Sequence, residues 1–392
     1  MRHAMVALGV VLAGYGGAAG AEPPGPDQLP VIEQLPDPFL MNDGSRVKTR
    51  DDWARRREEL KGLILDYEYG HLPPPAKPTV TELSAAANES LGAMEKHLLV
   101  SAGPDKDRKV EYHLDLTIPQ GKAGPFPVIV KGDLAWGKVP ATVLKEAAAR
   151  GYIVAEFNRE EVAPDKNDRT RGILSLHPDC DGGALAAWAW GFHRTLDYLV
   201  TLDSVDPKCI AVTGHSRGGK AALLAGALDE RVALTVPNGS GAGGAGAYRV
   251  RHAKAESLTN ITDRFPYWFH PRLKTFQGKE NRLPFDQHSL RALVAPRALL
   301  ATEAFGDLWA NPTGCQQAHL AAKEVFDFLG AGDKIGIHYR EGKHAQNEED
   351  WKALLDFADK VLLGKTVTRR FDQLPEPDAP KSFTWSAPAA GK

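Results

Sequence analysis

Three cysteines in 392 residues leave this chain without a disulfide framework, so packing must hold its core. Neither sign of charge is in excess. Lys plus Arg number 48 against 50 Asp plus Glu, a formal net charge of -2, which argues against a general nucleic-acid or membrane-surface binder. Beyond the N-terminus no apolar run is long enough to span a bilayer. Internal repeats and low-complexity segments are absent too, which removes solenoids and biased linkers from consideration. What is present is a 43% hydrophobic, 25% charged chain, the balance of a globular protein with a substantial core.

The N-terminus has the three parts of a signal peptide. Arg2 and His3 precede an apolar run over 4–13, and Ala19-Gly20-Ala21 supplies small residues for cleavage. Residues 1–21 are therefore expected to be removed near Ala21 and the protein to be exported, to the periplasm or beyond. An oxidising compartment allows one disulfide. Cys209 opens an apolar strand and reads as a small hydrophobe, which leaves Cys180 and Cys315 as the pair open to bonding.

Residues 22–392 are expected to form one domain, with an N-terminal wrap over 22–120. Residues 22–40 are rich in Pro and Asp and suit an extended lead-in on the surface. Helical periodicity over 51–67 ends before Pro73-Pro74-Pro75, and 96–100 and 112–116 suggest antiparallel strands. After Gly121, strands at 127–131, 152–157, 209–213, 232–237, 297–302 and 335–339 alternate with helices at 143–150, 183–202, 220–228, 313–329 and 347–363. Such alternation requires a mostly parallel sheet with helices on both faces, a three-layer α/β/α sandwich. The stretch 239–287 interrupts it. It begins Gly239-Ser240-Gly241-Ala242-Gly243-Gly244 and contains Phe265-Pro266-Tyr267-Trp268-Phe269. A loop excursion that long is more often functional than idle. From Arg369 onward the chain is a polar, Pro-rich tail suited to the surface.

Gly214-His215-Ser216-Arg217-Gly218 lies between a β-branched strand and an Ala/Leu-rich helix, the setting of a nucleophile elbow and hence of an α/β-hydrolase fold. That turn exposes a serine hydroxyl above the sheet and places a helix N-terminus under the reacting carbonyl. A serine needs a base to remove its proton. His344 follows the 335–339 strand by a short loop and precedes the final helix, the position this fold gives to the base. His177, His193, His288 and His319 all lie before that strand. Asp307 fits the acid that orients the imidazole; Glu303, four residues earlier at a strand end, is its rival. Asp307 is favoured because the acid usually leaves from the loop. His177-Pro178-Asp179-Cys180-Asp181 matches no common metal spacing, so neither a metal nor a cofactor is expected.

Gly214-His215-Ser216-Arg217-Gly218-Gly219-Lys220 resembles the elbow of the bacterial glucuronoyl esterases, carbohydrate esterase family 15. The resemblance extends to Ser175-Leu176-His177-Pro178, the 265–269 cluster, Asp286-Gln287-His288, Ala295-Pro296-Arg297, Asp307-Leu308-Trp309-Ala310 and Gly342-Lys343-His344. It implies cleavage of the ester between a (4-O-methyl)glucuronic acid branch of glucuronoxylan and a lignin alcohol; separately, the protein is expected to be a monomer. It further implies that Arg217 completes the oxyanion hole with its backbone N–H and guanidinium. Lys220 and Glu256 would meet sugar hydroxyls, and Trp309 would supply an indole donor and an apolar face.

There is one departure. Many members of that family carry the acid as Glu in an Asn-Glu-Ser-Gly setting, whereas here Asn238-Gly239-Ser240-Gly241 puts Gly239 at that position. The acid must then come from the family's other position, which Asp307 occupies. Two other readings stay open at this level: an acetyl-xylan or general carboxylesterase, and a catalytically silent carbohydrate-binding relative.

Overall fold

The computed structural model describes residues 22–389; the expected signal peptide lies outside the described residues. Nine strands form one sheet: β1 (Thr79–Asn88), β2 (Ala93–Ala102), β3 (Val110–Pro119), β4 (Phe126–Lys131), β5 (Ile153–Phe157), β6 (Val205–His215), β7 (Val232–Asn238), β8 (Ala298–Ala304) and β9 (Ile335–Arg340). Their order is β1-β2-β3-β5-β4-β6-β7-β8-β9. β1, β2 and β3 run antiparallel, as does the β3–β5 pairing, and every pairing from β5 through β4 to β9 is parallel.

The central strands are apolar on both sides because both sides are covered. On β4, Val128 and Val130 belong to one core while Ile129 belongs to another; Ile153 and Ala155 against Val154, and Ile210 and Val212 against Ala211, repeat this on β5 and β6. One face packs against the Ala184–Leu199 and Arg217–Leu228 helices, the other against Ala141–Arg150 and Glu348–Leu363. Each fully buried Val, Leu or Ile contributes roughly 1.5–3 kcal/mol, which fixes the register of every strand that carries an active-site loop.

The lead-in and the tail meet on the surface, where Leu35 N–H donates to Ser382 O at 2.9 Å and the Trp385 indole N–H to Leu35 O at 2.7 Å. The 239–287 excursion is built of short pieces, including a Leu258–Arg264 helix capped by Ser257, whose hydroxyl accepts from Asn260 N–H at 3.0 Å. Buried Asp286 ties its two ends together by accepting from the Tyr248 and Arg249 N–H groups at 2.8 and 3.1 Å.

All three cysteines are free, so the pair left open in the sequence, Cys180 and Cys315, is not bonded. Cys315 is buried in the first turn of the Pro312–Phe328 helix, while Cys180 is half-buried in a loop with its thiol donating to His71 O at 3.2 Å. Cys209 is only half-buried, on β6. In the same 177–181 loop, Asp181 accepts from His71 N–H at 2.7 Å and anchors the segment.

Candidate active site

β6 ends at His215 and a helix starts at Arg217, so the whole change of direction falls on Ser216, with φ 56° and ψ -119°. A non-glycine residue at positive φ is strained and persists only where its surroundings hold it. The two flanking glycines permit the turn. A Cβ on Gly214 would lie 2.4 Å from Gly218 O, and one on Gly218 would lie 2.0 Å from Asp133 Oδ1.

Asp133 is the buried support of that turn. Its Oδ2 accepts from His215 N–H at 2.8 Å and lies 3.1 Å from Lys131 Nζ, while Oδ1 pairs with the fully buried Arg159. Burial alone would raise its pKa; Lys131, Arg159 and the His215 N–H more than reverse this, keeping it below the ordinary carboxylate value. The carboxylate therefore stays charged beneath the elbow. Sequence reading missed Asp133, whose partner His215 lies 82 residues away and is joined to it only in the folded chain.

His344 and Asp307 come from different loops and meet. His344 Nδ1 donates to Asp307 Oδ2 at 2.5 Å. The loops are joined by Phe305 N–H to Arg340 O and Gly306 N–H to Gly342 O, both 3.0 Å, and by Phe305 stacking on Tyr339. Arg340 then holds the histidine loop from below: its guanidinium donates to Glu341 O at 2.9 Å and Ala345 O at 2.6 Å, and to buried Asp350 at 2.6 Å. Nothing local in the sequence announces the Arg340–Asp350 pair.

Glu303 faces elsewhere. It is fully buried on β8 beside Cys315 and Arg291, and burial pushes its pKa up to about 8, so it is protonated at neutral pH. Gly239 borders the His344–Asp307 pair. A Cβ there would lie 3.5 Å from Asp307 Oδ2 and 3.6 Å from His344 Nδ1, so Asp307 reaches the histidine nitrogen through space that a side chain at 239 would enter. The His215 ring lies tilted against that of His344, centroids 4.5 Å apart at an interplanar angle of 46°, and donates from Nδ1 to Asn238 Oδ1 at 2.6 Å. Burial, reinforced by His344, depresses its pKa to about 4, so it adds no positive charge next to that histidine at neutral pH.

Ser216 and His344 open onto one cleft of about 160 Å³, together with Arg217, Lys220, Glu256 and Trp309. The structure thus brings all seven residues singled out in the sequence to one place. A larger groove of about 580 Å³, bordered by Arg169, Asp181 and Tyr267, includes neither Ser216 nor His344.

Lys220 is buried and donates to the Ser240 and Ala242 carbonyls at 2.5 Å each, with Glu256 Oε2 3.8 Å away. Two of its three protons therefore hold the glycine-rich loop, leaving one for a ligand. Burial lowers its pKa, and Glu256 opposes that shift. Glu256 N–H donates to Trp309 O at 3.0 Å, linking the two segments that flank the cleft. The Trp309 side of the cleft is open, with that residue 44% exposed. Arg217 sits among Trp136, Phe265 and Trp268, its Cζ 5.0, 5.1 and 4.7 Å from their ring centroids, and pairs with Asp165.

Chemically, the arrangement joins a strained, half-buried serine that borders the cleft, a carboxylate-oriented imidazole and a cation at a helix N-terminus, the parts needed for acyl transfer. Among the described residues no group of three or more His, Cys, Asp or Glu could hold a metal ion.

Known proteins resemble this chain in sequence and in fold. The family described as glucuronyl esterase, fungi, matches residues 103–330. A 4-O-methyl-glucuronoyl methylesterase from Podospora anserina is 32% identical over 352 residues, 86% of this chain and 69% of that protein. A carbohydrate esterase family 15 glucuronoyl esterase from Caldicellulosiruptor kristjansonii has a TM-score of 0.80 at 34% identity, covering 92% of this chain and 98% of that one. A glucuronoyl esterase from Sporotrichum thermophile, solved with methyl 4-O-methyl-beta-D-glucopyranuronate, has a TM-score of 0.72 at 28% identity, covering 86% and 90%. With matches of this extent to both sequences and structures, the chain belongs to the glucuronoyl esterases of carbohydrate esterase family 15, carboxylic ester hydrolases of α/β-hydrolase fold.

Proposed function

We propose that this protein hydrolyses the ester between (4-O-methyl)glucuronic acid on glucuronoxylan and a lignin alcohol, with Ser216, His344 and Asp307 as its triad. The observation that carries the reading is the 2.5 Å His344–Asp307 bond beside strained Ser216 in one cleft. With Nδ1–H given to Asp307, His344 Nε2 is left with the lone pair that a general base needs. Ser216 Oγ attacks the uronoyl carbonyl carbon as His344 takes its proton. The tetrahedral oxyanion is met by the Arg217 backbone N–H and guanidinium. His344 then gives the proton to the departing alcohol oxygen as the ester C–O bond breaks. Water, deprotonated by His344, attacks the acyl-enzyme; Ser216 recovers its proton and the free uronic acid leaves.

The sugar side of the cleft supports a uronoyl over an acetyl group. Lys220 and Glu256 offer a donor and an acceptor to ring hydroxyls, and Trp309 offers an apolar face. An acetyl group would use none of these. Export with cleavage near Ala21 belongs to the same proposal, supported by the small residues before Glu22. The test compares benzyl and methyl glucuronate with 4-nitrophenyl acetate. A higher kcat/KM on the glucuronates is expected; preference for the acetyl ester would overturn the uronoyl assignment.

A further inference from the structure

Arg217 carries a carboxylate that the acyl-transfer scheme does not use. Asp165 lies in the loop after the Arg159–Val162 turn, its side chain 8% exposed, and pairs through Oδ2 with Arg217 Nη1. Its Oδ1 accepts from Tyr267 OH at 2.9 Å and from the Trp268 indole N–H at 2.8 Å. Tyr267 OH also lies 3.0 Å from Asp165 O. The carboxylate is thus fixed by the aromatic segment of the excursion before it reaches the arginine. Two of the three rings around the guanidinium, Phe265 and Trp268, come from that same segment.

We infer that Asp165 is a positioning residue for the reaction: it locks the Arg217 guanidinium in the orientation that meets the oxyanion. The inference rests on the oxyanion role given to Arg217 above. A long arginine side chain loses rotamer freedom when it is held, and a donor stabilises a transition state best when it is already aimed. Nη1 is committed to Asp165. Nε is buried and has no partner among the described residues; Nη2 is not buried in that way and makes no hydrogen bond there, so it is the guanidinium nitrogen left for an anion. The clamp is long-range, since Asp165 is 52 residues from Arg217 and more than 100 from Tyr267 and Trp268.

The test is a double-mutant cycle on benzyl glucuronate with Asp165→Asn, Arg217→Ala and the pair, each checked for an unchanged unfolding midpoint. Asp165→Asn should lower kcat about tenfold or more with KM within about threefold, part of the roughly 10²–10³ that one oxyanion donor supplies. In the Arg217→Ala background the same change should have less than about a twofold effect. Tyr267→Phe, which removes one anchor and leaves the ion pair, should give a smaller kcat loss that also vanishes without Arg217. Equal losses in both backgrounds would overturn the positioning role while leaving Arg217's role intact. A kcat unaffected by Arg217→Ala would overturn the oxyanion assignment, and the positioning role with it.

Discussion

Gly306 donates its N–H to Gly342 O at 3.0 Å, and that bond holds the loop carrying Asp307 against the loop carrying His344. A Cβ on Gly306 would stand 2.5 Å from the same carbonyl oxygen, so backbone would have to move to admit one. Gly306→Ala is therefore expected to part the two loops. Because misplacement by about 1 Å can cost on the order of 10²-fold, kcat should fall at least about tenfold. Steady-state kinetics beside a thermal melt check this; an unchanged kcat would show that the contact does not set the triad.

Asp307 and Glu303 should separate cleanly. Asp307→Asn keeps the shape but removes the charge that favours the Nδ1–H tautomer, and a loss of roughly 10³–10⁴ in kcat is expected. Glu303→Gln changes a carboxyl that burial already keeps protonated at neutral pH, and should cost less than about tenfold. The reverse ranking would move the acid to Glu303.

Acid should weaken the fold through buried histidines. Burial depresses the pKa values of His215 and His288 to about 4 and of His319 to about 3, from an ordinary 6.5. Below 6.5 the unfolded chain takes up protons that the folded one refuses. Stability is thus fully present above about pH 6.5 and declines as pH falls toward 4, by on the order of 3 kcal/mol per group. Melting temperature against pH measures the slope. His319→Gln should make it shallower, and an identical slope would remove His319 from the account.

The sequence carried those parts of the site that local chemistry demands. Ser216 needs a strand, two small residues and a helix in immediate succession, and His344 follows the last strand, so both could be read from position. Asp307 could be read too, once Gly239 was seen to leave the other acid position without a carboxylate. Asp133 and Asp165 could not, because their partners lie 82 and 52 residues away and only the folded chain joins them. The edge strand β1 was invisible for another reason: nearly every residue of it is exposed, so no apolar alternation marks it. Lys220 was expected to serve the sugar, yet two of its protons hold the Ser240–Ala242 loop, a role that the helical spacing from Ser216 does not reveal.

Ester cleavage is assigned above to Ser216. Turnover of benzyl glucuronate by Ser216→Ala, beside wild-type protein of equal melting temperature, tests it most directly. The triad account predicts a kcat lower by at least about 10⁴-fold. A Ser216→Ala protein working within about tenfold of wild type would contradict it.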